Sequence, residues 1–294
     1  MTDAAPVRVA AAQYDIGYFH HWREYCDKAR SWVEEAARND AKILLFPEYG
    51  TLELASLFGS AAQESMDAQL HALQSVLPDY LALYQQLAQQ YGVYIVPGSY
   101  PVAVGERYRN RAYLFDPSGN YDFQEKLMMT RFENEQWHIE PGDDIKLFDT
   151  DYGPVAISIC YDSEFPMIAR RQVEMGANLI LVPSCTDTLA GYYRVRIGSQ
   201  ARALENQCYV LHSPTVGEAD WNEAVDVNNG AAAIYTPVDY GFPSDGILAI
   251  GELNQVQWVY GDLNLAKVDL VRQTGQVFNY RNWPDHLKFS SPPG

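Results

Sequence analysis

The feature that most restricts how this chain can fold is a short apolar run that stops on a reactive side chain. Ile43-Leu-Leu-Phe46 stops at Pro47-Glu48, and Val155-Ala-Ile-Ser-Ile159 stops at Cys160. Short runs of this kind, without helical periodicity, read as strands buried on both faces. Val93–Pro97, Ala112–Phe115 and Leu179–Val182 read the same way, and Val7–Tyr14, rich in small and β-branched residues, reads as the first strand. Helical stretches separate them. In the first, over about 22 to 37, Trp22, Tyr25, Ala29, Trp32, Val33 and Ala36 recur at helical spacing. Others cover 66 to 91, interrupted near Pro78 and ended by Gly92; 166 to 175, closed by Gly176; and 193 to 206. Asp116-Pro-Ser-Gly119 marks a hairpin turn. Cys208–His212, Ala231–Tyr235 and Ile247–Ile250 are later strands. A partly helical stretch follows from about Leu263, then a polar tail, Ser290–Gly294, expected to be mobile. This alternation predicts an α/β chain with a layered core. No linker, repeat or low-complexity block divides it, which predicts one domain over residues 1–294 with its core at about 7–265.

Charge excludes several partners. Lys and Arg total 21 against 38 Asp and Glu, a net charge of −17, whereas nucleic acids and anionic membranes are recognised by basic patches. The acidity reads as solubility, with attraction of cationic substrates as the alternative. Cys26, Cys160, Cys185 and Cys208 are widely spaced and form no CxxC pair, so a disulfide framework is not expected. Met1-Thr-Asp-Ala-Ala-Pro6 has neither the basic nor the apolar region of a signal peptide, and no apolar run approaches the ~20 residues of a membrane span. The expected location is therefore a reducing cytoplasm. His20-His21 is too little for a metal centre, and no glycine fingerprint for a nucleotide is present, so no metal or cofactor is expected.

The chemistry concentrates in three segments. Two are the strand ends carrying Glu48 and Cys160; the third, Glu125-Lys126-Leu-Met-Met-Thr130, sets an amine among apolar neighbours. Sites in α/β sheets gather beyond the carboxyl ends of strands, so a carboxylate, an amine and a thiol there can form one constellation. Each alone has an ordinary explanation: a helix cap, a surface charge, a small buried hydrophobe.

Together, Pro47-Glu48-Tyr49, Lys126 and Cys160-Tyr161-Asp162-Ser-Glu-Phe165-Pro166 resemble the signature segments of the nitrilase superfamily of carbon–nitrogen hydrolases. Further similarity runs through Ala10–Gln13, Asn110–Ala112, Pro141–Asp143, Ala177-Asn178 and Arg202–Asn206, covering about Val7 to Leu265. Around Lys126 the neighbours differ from the family's usual ones. The resemblance implies an α-β-β-α sandwich of four layers. It also implies a homodimer packed through the helices at 166–175 and 193–206. Cys160 is the implied nucleophile, Glu48 the base and Lys126 the oxyanion partner. A second glutamate is implied before Pro141-Gly-Asp143. Asn134-Glu135 sits at the matching distance and makes Glu135 the choice, with Glu133 as the competitor.

Tyr49, Tyr161, Glu164 and Cys185 are the implied substrate-binding residues, Cys185 through the loop after Leu179–Val182. The implied reaction is hydrolysis of a small linear amide through a thioester, with an N-carbamoyl amine as the alternative substrate. Nitrile hydrolysis fits less well, because that branch carries Cys-Trp-Glu where this chain has Cys160-Tyr-Asp162. Glu164 stands where relatives that accept carboxylates often place an arginine, which points to a neutral or amine-bearing amide unless Arg170, Arg171 or Arg194 pairs with it. The rival of another class is a binding protein that keeps the fold without catalysis; retention of all the reactive residues speaks against it.

Overall fold

A computed structural model describes residues 6–63 and 65–289. The tail from Ser290 and the first five residues lie outside the described residues. In chain order the strands are β1 (Val7–Asp15), β2 (Ile43–Phe46), β3 (Tyr94–Pro97), β4 (Ser99–Val104), β5 (Arg107–Phe115), β6 (Tyr121–Glu125) and β7 (Val155–Ile157). Then come β8 (Leu179–Ser184), β9 (Tyr209–Glu218), β10 (Val227–Asn228), β11 (Ala233–Tyr235), β12 (Ile247–Ile250) and β13 (Gln257–Leu263).

Two sheets form. In the first, β1, β2 and β3 run parallel, β13 lies antiparallel outside β1, and β5 is flanked by β3 and β4 on one side and β6 on the other. In the second, β7, β8 and β9 run parallel, with β11 and β12 antiparallel beyond them and β10 folding back on β9. The sheets join where Tyr14 and Asp15 of β1 pair with Thr215 and Val216 of β9.

Register explains the uninterrupted apolar runs. Val9 pairs with Ile43, and Ala11 with Leu45 and, through it, Val96; these side chains enter the core shared with the second sheet. Ala10, Leu44 and Ile95 are the alternating set and face the other way, against Tyr25, Ala29, Val33, Tyr84 and Leu87. Both faces of β2 are buried, so no polar residue interrupts it; each such side chain contributes about 1.5–3 kcal/mol by leaving water. The helices Trp22–Arg38 and Leu77–Tyr91 form the outer layer on this side, and Pro166–Glu174 and Leu189–Asn206 form the layer on the other. The result is the expected α-β-β-α sandwich.

Several boundaries differ from the sequence reading. The helix expected from Tyr193 begins a turn earlier, at Leu189, because the Thr188 hydroxyl accepts the Gly191 N–H at 3.1 Å and caps it. β4 and β13 have no counterpart among the expected strands. In β4, Pro101 interrupts an alternating pattern, and in β13 polar and glycine residues dilute the apolar signal. The interruption near Pro78 is a break between helices Met66–Leu73 and Leu77–Tyr91, and Gly92 closes the second with φ +61°.

Candidate active site

Four segments bring their ends to one place. After β2, Pro47 leads to Glu48 and then to Tyr49, which is held at φ +55°. Gly98, at φ +88°, permits this turn: a Cβ there would stand 2.2 Å from the Pro47 carbonyl oxygen. After β6 comes Lys126, whose N–H donates to the Asn110 carbonyl at 2.9 Å and whose carbonyl accepts the Gly142 N–H at 2.8 Å. After β7 the chain turns sharply into a short 3-10 helix, Cys160–Glu164, with Cys160 at φ +49°. After β8 comes Cys185. Positive φ at non-glycine residues costs free energy, about 1–3 kcal/mol, and persists where surrounding structure enforces it. Asp162 supplies part of that enforcement. Its buried carboxylate accepts the N–H groups of Leu127 (3.1 Å), Met128 (2.7 Å) and Ile159 (3.2 Å), tying the Lys126 segment to the Cys160 turn.

The charges are paired and dry. Lys126 Nζ donates to Glu48 Oε1 and to Glu133 Oε2, each at 2.7 Å, and all three side chains are at most 2% exposed. Glu48 also accepts from Asn110 Nδ2 at 3.0 Å and, through Oε2, from the Cys185 N–H at 3.1 Å. Glu133 accepts from Tyr49 Oη at 2.7 Å, Thr130 N–H at 2.9 Å and Thr130 Oγ1 at 2.8 Å. Cys160 Sγ donates to the Cys185 carbonyl oxygen at 3.9 Å, and Glu48, held by the Cys185 N–H, lines the same cavity as the thiol.

These surroundings separate the two carboxyls. Burial raises the pKa of Glu48; the charge of Lys126 pulls it back, the neighbouring Glu133 adds a smaller rise, and the net shift is upward. Burial acts on Glu133 as well, but the charge of Lys126 and the hydrogen bonds from Lys126, Thr130 and Tyr49 outweigh it and hold Glu133 below its ordinary value. Against its own burial, Lys126 is kept well above the usual lysine value by the two carboxylates. Burial and Glu48 push the Cys160 thiol well up, against the pull of Lys126. The resting site therefore holds a neutral thiol, an ammonium, an ionised Glu133 and a Glu48 that takes up protons more readily than a free glutamate.

A cavity of about 360 Å³ opens onto this network. Glu48, Lys126, Glu133 and Cys160 form its inner end, with Tyr49, Trp137 and Tyr161 along its sides. Its outer part carries Arg131, Glu164, Asp187, Arg194, Glu223 and Asp226. Among the described residues no group of three or more His, Cys, Asp or Glu side chains is arranged to hold a metal ion, and no helix is long and apolar enough to cross a membrane.

Residues 8–260 match the carbon–nitrogen hydrolase family model. The chain belongs to the carbon–nitrogen hydrolase family. A protein of Bacillus subtilis named probable hydrolase YhcX is 36% identical over 93% of this chain, which spans only 53% of that relative's length. The omega-amidase NIT2 of Homo sapiens is 25% identical over 86% of this chain and 88% of its own. Among solved structures, Saccharomyces cerevisiae Nit3, a member of branch 10 of the nitrilase superfamily, superposes with a TM-score of 0.75 at 22% identity, over 92% of this chain and 94% of its own. A mutant of the amidase from Nesterenkonia sp. AN1 superposes with a TM-score of 0.68 at 22% identity, over 95% and 97% of the two chains. That mutant amidase carries a covalent acetamide moiety from fluoroacetamide at its active-site cysteine.

Within this carbon–nitrogen hydrolase the structure brings together Glu48, Lys126 and Cys160, and also Tyr49, Tyr161, Glu164 and Cys185 on the cavity wall. It corrects the second glutamate. Glu135 lies on the surface, 53% exposed, and its carboxylate pairs with Arg131 at 2.8 Å; Glu133 is the residue that reaches Lys126. Both stand on the short helix Arg131–Glu135, where positions two apart are about 200° apart around the axis and face opposite ways. The signal was legible: Thr130-Arg-Phe-Glu133 is a capping box, which turns its glutamate back toward the helix start. Tyr49 lends only its ring to the cavity, because its hydroxyl is taken by Glu133. Glu164 pairs with Arg194 at 3.5 Å. Roles were not assigned from the sequence to Asn110 and Asp162, nor to Asp187, Glu223 and Asp226, because hydrogen-bond acceptors and cavity walls assembled from distant loops leave no local pattern.

Proposed function

We propose that this carbon–nitrogen hydrolase cleaves the C–N bond of a small linear amide through a thioester on Cys160. The observation that carries the reading is a single buried contact set: a thiol, a carboxyl with raised pKa and an ammonium held by a second carboxylate, all at the inner end of one cavity. Glu48 takes the proton of Cys160 as the sulfur bonds to the amide carbon, so a thiolate never stands free in a buried site. The carbonyl oxygen becomes an oxyanion, and Lys126 supplies the opposing charge. Collapse breaks the C–N bond, and Glu48 returns the proton to the departing nitrogen, which leaves as ammonia or an amine. Water then attacks the thioester carbon and gives its proton to Glu48. The carbon–sulfur bond breaks, the acid leaves and the proton returns to sulfur. Glu133 stays ionised throughout and keeps Lys126 charged and in place, a division of labour between two carboxyls set by their surroundings.

The test is ammonia release from a panel of short aliphatic amides and N-carbamoyl amines, run beside Cys160→Ala. Release that the variant abolishes is the expected result. Turnover that survives the variant would overturn the mechanism.

We also propose that two copies associate through the layer formed by Pro166–Glu174 and Leu189–Asn206, whose outer surface exposes Met167, Tyr193 and Ile197. Sedimentation of the protein beside Ile197→Glu tests it: a dimer that the variant splits is expected, and a monomeric parent would refute it.

A further inference from the structure

The inner and outer parts of the cavity differ in charge balance. At the outer part, Arg131 is already engaged by Glu135 at 2.8 Å and Arg194 by Glu164 at 3.5 Å. Asp187, Glu223 and Asp226 also line the cavity, and among the described residues none of them forms a salt bridge. The cavity that holds the reactive thiol thus presents three uncompensated carboxylates and no uncompensated cation beyond the inner end, where Lys126 is doubly paired.

These carboxylates sit on a fixed wall. Asn222 and Gln69, both buried, exchange reciprocal amide hydrogen bonds at 3.0 Å and anchor the segment between β9 and β10 to the helix Met66–Leu73. Asn228 receives the Cys185 thiol at 3.5 Å and donates to the Val225 carbonyl at 2.7 Å. Asn229 is stitched to the loop after β8 by three bonds: its N–H to the Thr186 carbonyl at 2.8 Å, its Nδ2 to the Asp187 carbonyl at 2.8 Å, and its carbonyl from Thr186 Oγ1 at 2.9 Å. The loop bearing Asp187 and the loop bearing Glu223 and Asp226 are therefore hydrogen-bonded to each other, next to Cys185, whose N–H also holds Glu48.

Resting on the hydrolase reading above, we infer that the substrate carries a positive charge at the end away from its scissile amide, held at the cavity mouth by Asp187, Glu223 and Asp226. An ammonium or guanidinium there gains from an unbalanced field, whereas a carboxylate meets three like charges and no free arginine. The mouth carboxylates are solvent-exposed, so the preference is salt-sensitive.

The test uses alkylation of Cys160 as a readout that needs no turnover. Three iodoacetamides of matched length, ending in an ammonium, a methyl or a carboxylate, are compared for labelling rate at Cys160, each normalised to its rate with free cysteine. The ammonium probe is expected to label on the order of tenfold faster than the methyl probe at low ionic strength, and the carboxylate probe slower than both, with the spread shrinking as salt is added. In Glu223→Gln/Asp226→Asn the ratio of ammonium to methyl labelling should fall several-fold. Equal rates for the three probes, a faster carboxylate probe, or a charge order that survives both the double variant and Asp187→Asn overturns the inference. A charge order that is present while no amide is hydrolysed sinks the hydrolase reading instead, which keeps the two failures apart.

Discussion

The two ends of the active-site cavity solve opposite problems. At the inner end every charge has a partner: Lys126 is shared by Glu48 and Glu133, and both carboxylates are surrounded by further donors. At the mouth, Asp187, Glu223 and Asp226 face solvent and, among the described residues, form no salt bridge. Burying charges costs several kcal/mol per ion unless geometry and hydrogen bonds offset it. The inner end is therefore rigid and intolerant, while the mouth is screened by water and tolerant. Disturbance of the inner end should appear in kcat and its pH dependence. Disturbance of the mouth should appear as selectivity.

The largest effect expected anywhere in the molecule is at Cys160. Cys160→Ala removes the atom that forms the thioester, and turnover should fall by roughly four orders of magnitude or more, with little change in thermal midpoint because the side chain is small. Stopped assays of ammonia release measure it. A loss of less than about tenfold would mean that the inner end does something other than covalent catalysis.

Next in size is a contrast between two glutamates on one short helix. Glu133→Gln takes away the ionised partner of Lys126 and leaves a buried ammonium with less compensation, so kcat should fall on the order of 100-fold or more. Glu135→Gln disturbs only an exposed i,i+4 pair with Arg131, and its kinetics should stay within about twofold of the parent. The pH profile sharpens the point. Glu48 works as a base only when ionised, and its pKa is raised, so the acid limb of kcat/KM should lie above the ~4.3 of a free glutamate, activity being lost as pH falls through that raised value. Glu133 is one of the charges raising it. Whatever activity Glu133→Gln retains should show an acid limb moved to lower pH. An unchanged limb, or equal losses in the two variants, would remove Glu133 from the network.

What the sequence made legible follows the same division. β2 and β8 can be read because both faces of each are buried, so burial itself writes an apolar run. Glu48 and Cys160 can be read because each follows a segment of that kind, whereas Lys126 follows the polar β6 and gains meaning only beside those two. The second glutamate is misplaced by one helix face, since the sequence spacing to Pro141 does not encode rotation about a helix axis, whereas the capping box at Thr130 does. β13 is hard to read because Tyr260-Gly-Asp262 faces partly outward and carries charge. The mouth is hardest of all: it is assembled from the loops after β8 and β9, joined by amide hydrogen bonds between residues far apart in sequence, such as Gln69 and Asn222.

Smaller effects test the boundary between the two ends. Tyr49 is on that boundary, with its ring on the cavity wall, edge-on to Trp137 at 5.4 Å, and its hydroxyl on Glu133. Tyr49→Phe keeps the ring and deletes one hydrogen bond to a carboxylate, a change of about tenfold. The loss should fall on kcat, with KM nearly constant, because the hydroxyl serves Glu133 rather than substrate. Without that donor the pKa of Glu133 rises, but Lys126 still holds it ionised and the acid limb belongs to Glu48, so the limb should stay close to the parent's, in contrast to the shift in Glu133→Gln. A rise in KM at constant kcat would place the hydroxyl on the substrate instead of on Glu133.

The smallest change in selectivity is expected at Glu164, where sequence and structure give different reasons for the same preference. If Glu164 itself repels carboxylates and attracts amines, then Glu164→Gln should abolish discrimination between a cationic and an anionic amide. Its pairing with Arg194 argues otherwise. Burial raises the Glu164 pKa while Arg194 pulls it back, and the two side chains partly cancel at the distance a substrate would feel them. The variant then deletes one charge of a balanced pair and frees Arg194, which is largely exposed. The anionic amide should gain by no more than a few-fold in kcat/KM, and the cationic amide should remain preferred because Asp187, Glu223 and Asp226 are untouched. Measured at two ionic strengths, complete loss of the preference in this variant would locate selectivity at the Cys160 turn. Its persistence, weakened by salt, is the outcome that keeps selectivity at the mouth.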